Sequence, residues 1–454
     1  MSVALVILAA GKGTRMNSDL PKVLHSVAAA PLLMHAMRAG EALDPAKVIV
    51  VGGFGGEQVE EAALDWNETA EFALQSEQLG TAHAVDQARS HLQDFIGDVI
   101  VLYGDTPFIR PETLQSMLQK RADGAAIVVL GFEAEVPGRY GRLIVDDTEN
   151  LTAIVEAKDA TSEDLQVTLC NSGVICADAK TLFDLIAKVG NDNASGEYYL
   201  TDIVGLANAE GLGCAAVTCD IAETMGINSR AELAEAEAAF QARARLEAME
   251  NGATLTAPET VYFAYDTIVG RDVVIGPNVV FGPDVTIESG ATINAFCHLE
   301  GCHVSRGAIV GPFARLRPGA ELAEFARVGN FVEVKNAQIG EGAKINHLSY
   351  VGDADIGPEA NIGAGTITCN YDGVMKHRTE IGARAFIGSN TSLVAPVSIG
   401  RDAMTGSGSV ITKNVPAEAL AIARAQQINK EGFAVRLKNR LTALKARKQA
   451  EKAD

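Results

Sequence analysis

Cationic charge is scarce in this chain of 454 residues. Its 38 Lys and Arg stand against 58 Asp and Glu, a formal net charge of -20. That balance excludes broad nucleic-acid binding, which depends on positive surface. Phosphate chemistry stays open to an acidic protein if local devices supply the charge: backbone amides, a few placed cations or a metal. Cysteine is thin too. The seven residues (170, 176, 214, 219, 297, 302, 369) form no CxxC pair and are too sparse for a disulfide framework. Reduced thiols in a cytoplasmic setting are therefore expected. Long apolar runs are missing, since none reaches the ~18 residues a membrane span needs. The opening run, residues 3–10, has no basic leader and no small-residue cleavage site, and reads as a strand and not a signal peptide.

What is present points to more than one domain, because single cores stop growing near ~250–300 residues. Up to position 230, apolar runs alternate with amphipathic stretches. VALVILAA (3–10), KVIVVGG (47–53), DVIVLYGD (98–105) and AAIVVLGF (125–132) read as buried strands, and residues 31–43 and 111–121 as helices between them. Fully apolar strands alternating with helices predict a Rossmann-like α/β domain with a mostly parallel sheet covered on both faces. Ligands in such sheets bind beyond the carboxyl ends of the strands, where GKGTR (11–15) and GDT (104–106) fall. Residues 231–250, AELAEAEAAFQARARLEAME, are rich in the strong helix formers Ala, Glu and Arg and contain no Gly or Pro. Lying between unlike regions, 231–251 reads as a linker helix.

From residue 252 the period becomes six. An aliphatic or bulky residue, usually followed by Gly, recurs at 269, 275, 281, 287, 293 and 299, then at 304, 310, 316, 322, 328 and 334. It resumes at 339, 345 and 351, at 356 and 362, and finally at 381, 387, 393, 399 and 405. A short fixed period means a solenoid of hexapeptide repeats with a narrow apolar core. From 362 to 381 the period is interrupted, and the gap exceeds a single step of six by 13 positions. Asn370, Tyr371 and Asp372 are expected to leave the coil there.

The GKGTR loop lacks both the GxxxxGK[ST] and the GxGxxG patterns. Its glycines still let backbone amides approach an anion, and Lys12 and Arg15 add charge. A plain strand-to-helix turn with solvated cations would leave the same pattern. LAAGKGTRM followed by LPKVL, however, resembles the signature of sugar-nucleotide pyrophosphorylases. QSEQLGTAHA (75–84), LYGDTP (102–107), YGRLI (140–144), IVEAKDA (154–160), NSGV (171–174) and MGINSR (225–230) fit it as well. With the hexapeptide region and GDADIGPEANIGAGTITCNYDG (352–373), essentially the whole chain resembles the bacterial bifunctional N-acetylglucosamine-1-phosphate uridylyltransferase and glucosamine-1-phosphate acetyltransferase family.

The resemblance implies an N-terminal nucleotidyltransferase domain (1–230) and a left-handed parallel β-helix acetyltransferase domain with a C-terminal tail (252–454). In the first, sugar phosphate attacks the α-phosphorus of UTP. Leu8, Ala9, Ala10 and Gly11 would contact the nucleotide, Lys12 and Arg15 its phosphates, and Lys22 would neutralise the reacting groups, Arg15 and Lys22 being catalytic. Gln75, Gly80 and Thr81 would read uracil, Tyr103 and Gly104 would line the ribose, and Gly141, Glu156 and Asn171 would hold N-acetylglucosamine. Asp105 and Asn228 would bind Mg²⁺; taken alone, a turn cap and an Asx turn explain them too. In the second domain His347 would be the general base toward acetyl-CoA. Arg317, Lys335, Tyr350 and Asn361 would bind glucosamine 1-phosphate, and Ala364, Asn370, Tyr371, Ser389, Ser407 and Arg424 the coenzyme. Arg315, Arg317, Lys335 and His347 are expected to come from successive coils and to line up along one edge. The basic tail (Lys438, Arg440, Lys445, Arg447, Lys448) reads as a solvated helix.

A homotrimer is implied, with exposed Phe313, Phe325, Phe331 and Phe386 beyond the core set and His347 from one chain meeting coenzyme contacts from another. The expected partners are small molecules, with no nucleic acid and no membrane. Two other readings stay open: a hexose-1-phosphate nucleotidylyltransferase with a purely regulatory solenoid, and a non-catalytic assembly subunit.

Overall fold

The computed structural model describes residues 2–450. The chain divides into two compact units. One runs up to Glu250 and includes Tyr262–Thr267; the other holds Asn251–Val261 and everything from Ile268 onward.

The first apolar run is strand β1 (Val3–Ala9), buried at every position. Successive side chains point to opposite faces. Ala4, Val6 and Leu8 therefore enter one core, and Val3, Leu5, Ile7 and Ala9 another. Both faces are covered, so no polar residue interrupts the run. The other strands of its sheet are β2 (Lys47–Gly52), β3 (Glu71–Leu74), β4 (Asp98–Tyr103), β5 (Ile127–Glu133), β6 (Arg142–Val145), β7 (Leu151–Val155), β8 (Leu169–Asp178) and β9 (Cys214–Cys219). Among the described residues these nine form one sheet, ordered β9-β5-β8-β4-β1-β2-β3, with the β6–β7 hairpin attached to β8. The pairs β4–β1, β1–β2, β2–β3 and β9–β5 are parallel. Strand β8 is antiparallel to β4, β5 and β6, and β6 and β7 are antiparallel to each other. Strand β8 also bulges. Asn171 lies opposite Gly131 and Ile175 opposite Val129, so a longer stretch of β8 spans a shorter one on its neighbour. Bulges of this kind re-aim side chains near sites.

Helices α1 (Leu32–Glu41) and α2 (Pro111–Ala122) fall where the pattern put them. Helix α3 (Arg230–Glu250) is more than a connector. Ala236 and Phe240 are buried with Val27, Leu32, Phe108 and Ile227. Gln241 also donates to the Phe263 carbonyl (2.7 Å) and accepts from its N–H (2.8 Å), which ties 262–267 to the first unit.

The second unit is a left-handed parallel β-helix with three flat faces. On one, Ile309, Arg327, Lys344, Asn361 and Phe386 stack in register from coil to coil. The next carries Arg315, Glu333, Tyr350, Ile367 and Ser392, and the third Glu321, Gln338, Asp355 and Glu380. The periodic residues from Ile275 to Ile399 are buried, while Val269, near the open end, is half-buried. The three five-residue steps have a cause. At those corners a single left-handed residue makes the turn: Gly301, Asn336 or Asp353, with φ of 53°, 45° and 48°.

One expectation is corrected. Thr368 is 1% exposed and fills the core position after Ile362, its hydroxyl bonded to the Gly352 N–H and carbonyl (2.8 and 2.9 Å). Ala337 pairs with Ala354, and Ala354 in turn with Thr379. The coil that ends at Thr379 is therefore longer than the one before it by eight positions and not by 13. A polar residue in the core hid the repeat. Helix α4 (Phe433–Ala450) is solvent-exposed over its described side chains. No helix among the described residues is long and apolar enough to cross a membrane.

Candidate functional sites

At the carboxyl ends of β1 and β4 a cavity of about 300 Å³ opens. Leu8, Ala9, Ala10, Gly11, Lys22, Gln75, Gly80, Thr81, Tyr103 and Asp105 line it, joined by Val23, Gln78, Ala84 and Glu197. Gly11 has nothing within 4 Å of where a Cβ would stand, so its backbone is open to a ligand. Gly80, with φ +122°, passes Tyr198 so closely that a Cβ would lie 2.5 Å from the Tyr198 carbonyl oxygen. The residue type is forced. Gln78 donates to the Ala10 carbonyl at 2.6 Å; it sits inside QSEQLGTAHA but was not singled out, since its reach across to β1 is a tertiary fact. Gly104 lies behind the wall, its N–H on the Leu8 carbonyl (3.0 Å). Lys12 and Arg15 are exposed and do not line the cavity. Their loop is pinned from below, where buried Met16 presents its carbonyl to Arg230 Nε at 3.3 Å.

The Asp105 and Asn228 side chains converge on one cation. Lys22 Nζ is hydrogen-bonded to Asp105 Oδ2 and, at 2.9 Å, to Asn228 Oδ1. The Ile227 N–H donates to the Asp105 carbonyl (3.0 Å), which brings the MGINSR turn to the end of β4. One carboxylate and one amide oxygen around a positive charge make a hard, sparse donor set. It suits Mg²⁺, which takes its other ligands from water and phosphate.

Gly141, Glu156 and Asn171 form a second cluster. A Cβ on Gly141 would lie 3.5 Å from both Glu156 Oε2 and Asn171 Cβ. The β8 bulge delivers Asn171 and also Gly173, whose φ of +91° lets the Tyr103 ring approach to 2.6 Å of a would-be Cβ. Tyr103 thus lines the cavity on one side and abuts the bulge beside this cluster on the other. Burial pushes its phenol upward, with Asp105 and Glu156 adding to the shift. Glu156 is raised as well, first by burial, against a hydrogen bond from Thr201 (3.3 Å) that lowers it. A carboxyl whose folded-state pKa exceeds its unfolded value costs stability as pH rises through that window and nothing below it. Glu156→Gln is therefore expected to raise the melting temperature of the ligand-free chain at pH 8 by about 1–3 °C, with no gain at pH 4. A lower or unchanged melting point at pH 8 would refute the assignment of strain to this carboxylate.

In the second unit Arg317 and Lys335 share the face of Glu333 and Tyr350. Arg317 pairs with Glu333 at 2.8 Å. Lys376, from the extra loop, comes within hydrogen-bonding reach of Lys335 and, with Arg317, pulls it below the ordinary lysine value. Three cations gathered in an acidic protein offer local positive charge that can hold an anion. Lys376 was missed because only the loop's path brings it there. Asp353 fixes that path. It is 6% exposed and accepts from Asn336 (2.6 Å) and Asn370 (2.5 Å). Burial raises its pKa, but those bonds and the nearby Lys376 and Lys335 outweigh it and hold the carboxyl below its usual range. Tyr371 lies outside on the loop, 60% exposed.

His347 ends the strand Lys344–His347 of the adjoining face, at the corner where left-handed Leu348 turns the chain toward Tyr350. By register its column runs from Asn330 through His347 to Ala364, Ser389 and Ser407, and Arg424 Nη1 donates to the Ser407 carbonyl at 2.6 Å. The expected coenzyme contacts Ala364, Ser389, Ser407 and Arg424 therefore share an edge with His347 within one chain. Asn361 does not join Arg317, Lys335 and Tyr350. It lies on a different face, paired with Lys344 and Phe386.

Residues 5–192 match a family model described as a MobA-like NTP transferase domain. Residues 266–301 and 378–413 match bacterial transferase hexapeptide (six repeats). The chain is 66% identical over 448 residues to the bifunctional protein GlmU of Ruegeria sp. (strain TM1040), covering 99% of each. It is 63% identical to that of Roseobacter denitrificans, again over 99% of each, and 62% identical to that of Dinoroseobacter shibae over 100% of each.

Proposed function

Since this chain belongs to the bifunctional GlmU family, and is therefore both an acetyltransferase and a uridylyltransferase, we propose that its two units house the two activities separately. The β-helix acetylates glucosamine 1-phosphate from acetyl-CoA. The first unit then transfers UMP from UTP to the product, giving UDP-N-acetylglucosamine and pyrophosphate, a precursor of peptidoglycan and lipopolysaccharide. The observation that carries the uridylyl assignment is the convergence of Lys22, Asp105 and Asn228 beside the cavity. For acetyl transfer it is His347 at the corner that leads into the face carrying the Arg317, Lys335 and Lys376 cluster. A purely regulatory solenoid gives no reason for that cluster.

Joining two anions is chiefly an electrostatic task. Lys22 holds positive charge at the reacting phosphates, and Asp105 and Asn228 are the residues that would hold Mg²⁺. Bound there, the ion supplies charge neutralisation on the phosphate oxygens. Glu156 and Asn171 orient the sugar beyond Tyr103. On the β-helix the cationic cluster fixes the phosphate, and His347 takes the proton from the attacking amine.

The exposed aromatic residues support a homotrimer. Phe296, Phe313 and Phe331 stack at one corner at 4.8 and 5.2 Å, each about half-exposed, and apolar ladders of this kind are normally covered. Seven free cysteines support a reducing, cytoplasmic setting. The test is product analysis with glucosamine 1-phosphate, acetyl-CoA, UTP and Mg²⁺. Chelation is expected to abolish pyrophosphate release, reversibly on adding Mg²⁺, and to spare thiol release from acetyl-CoA. Equal loss of both activities would contradict the division.

A further inference from the structure

We propose that Asn330 is a positioning residue for acetyl transfer, holding His347 in the one neutral tautomer that can accept a proton at Nε2. The inference rests on reading His347 as the base. Asn330 and His347 are register partners on adjacent coils, and His347 Nδ1 lies 2.8 Å from Asn330 Oδ1. A carboxamide oxygen only accepts. The imidazole must then carry its proton on Nδ1, and the Nε2 lone pair is directed to the substrate. Which nitrogen is protonated is set by the bond the other makes.

The backbone makes this contact tight and leaves it without competition along the column. Gly329 precedes Asn330, and a Cβ there would fall 2.1 Å from the Asn346 carbonyl oxygen, so only glycine allows the two coils to close at this point. Phe331, with φ +55°, turns the chain immediately afterwards and fixes the direction in which Asn330 projects. The Leu348 N–H donates to the Asn330 carbonyl at 3.0 Å. One coil beyond His347 stands Ala364, which offers no polar side-chain group. Of the two column neighbours, only Asn330 can bond the ring.

The test uses the full-length enzyme. Nitrogen-15 spectra of neutral His347, assigned by comparison with His347→Gln, are expected to show the Nδ1–H tautomer in the parent and a mixture in Asn330→Ala. Asn330→Ala is expected to lower kcat for acetyl transfer about tenfold or more, with both KM values within twofold. Asn330→Asp, which keeps the accepting oxygen, is expected to restore most of that kcat when assayed where the imidazole is neutral. Uridylyl transfer and melting temperature should not move. An Nε2–H tautomer in the parent, an unchanged kcat in Asn330→Ala, or a loss shared by KM and melting temperature would each overturn the proposal. Activity persisting in His347→Gln would instead overturn the reading of His347 on which it rests.

Discussion

Asp105→Ala is expected to lower uridylyl transfer about a thousandfold while acetyl transfer stays within twofold of the parent. The loss follows from what Asp105 holds. Its carboxylate and the Asn228 amide share the Lys22 ammonium. Without Asp105 the cation keeps one neutral oxygen, and the only negatively charged member of the cation site is gone. Lys22 is then free to swing, just where two phosphates must be brought together. Its backbone role survives, since the Ile227 N–H bonds the Asp105 carbonyl and not its side chain. The variant should therefore fold. Asp105→Asn keeps the shape and one oxygen but not the charge, and should fall between parent and alanine. Acetyl transfer is spared because its residues belong to the other unit. Pyrophosphate release and thiol release, measured on the same preparation, decide the matter. Near-parental uridylyl transfer in folded Asp105→Ala would remove this residue from the mechanism.

The second large effect belongs to His347. His347→Ala should lower acetyl transfer by about two to four orders of magnitude and leave uridylyl transfer from supplied N-acetylglucosamine 1-phosphate near normal. The same variant tests whether the site is shared between copies. Arg317, Lys335 and Tyr350 occupy one face, and Asn361 lies on the adjoining face with the strand that ends at His347. In a shared site, Asn361 would reach the sugar from a neighbouring chain. On the homotrimer proposed above, co-expressing His347→Ala with Asn361→Ala chains is expected to give mixed trimers. In each, one interface joins an intact His347 to an intact Asn361. With random mixing about a quarter of all sites are whole, and acetyl transfer should rise well above either parent variant. Verified mixed trimers as inactive as both parents would exclude the shared site. Asn370→Ala is the poorer partner for this experiment. Its amide is bonded to Asp353 of the same chain, so its loss also frees the loop carrying Lys376.

What the sequence disclosed follows the range of the forces involved. Burial on both faces of β1 leaves an unbroken apolar run, and a narrow solenoid core leaves a six-residue period; both are local and legible. The cavity at the ends of β1 and β4 was legible through its motifs, since most of the residues named from them as nucleotide contacts line its wall. Features that depend on stacking were not. Asn330, Asp353 and Lys376 acquire meaning only from the coil above or below, a full turn of the solenoid away or across a loop whose length no local pattern gives. Thr368 broke the apolar code although it sits in the core, because its hydroxyl is satisfied by the Gly352 backbone. The antiparallel strand β8 reads like its parallel neighbours, since burial and not direction determines its composition. Helix α3 looked like a spacer because its buried face is narrow, essentially Ala236, Phe240 and Gln241.

The edge from His347 through Ala364 and Ser389 to Ser407 is a ruler. Each coil is one division of about 4.8 Å, so those three steps fix a length of about 14 Å. Side-chain substitutions change the marks but not the spacing, which belongs to the backbone ladder. A long, flexible ligand laid along this edge is measured against it. Only the deletion or insertion of a whole coil would recalibrate the scale, moving the far contacts by one division while leaving every local contact within a coil as it was.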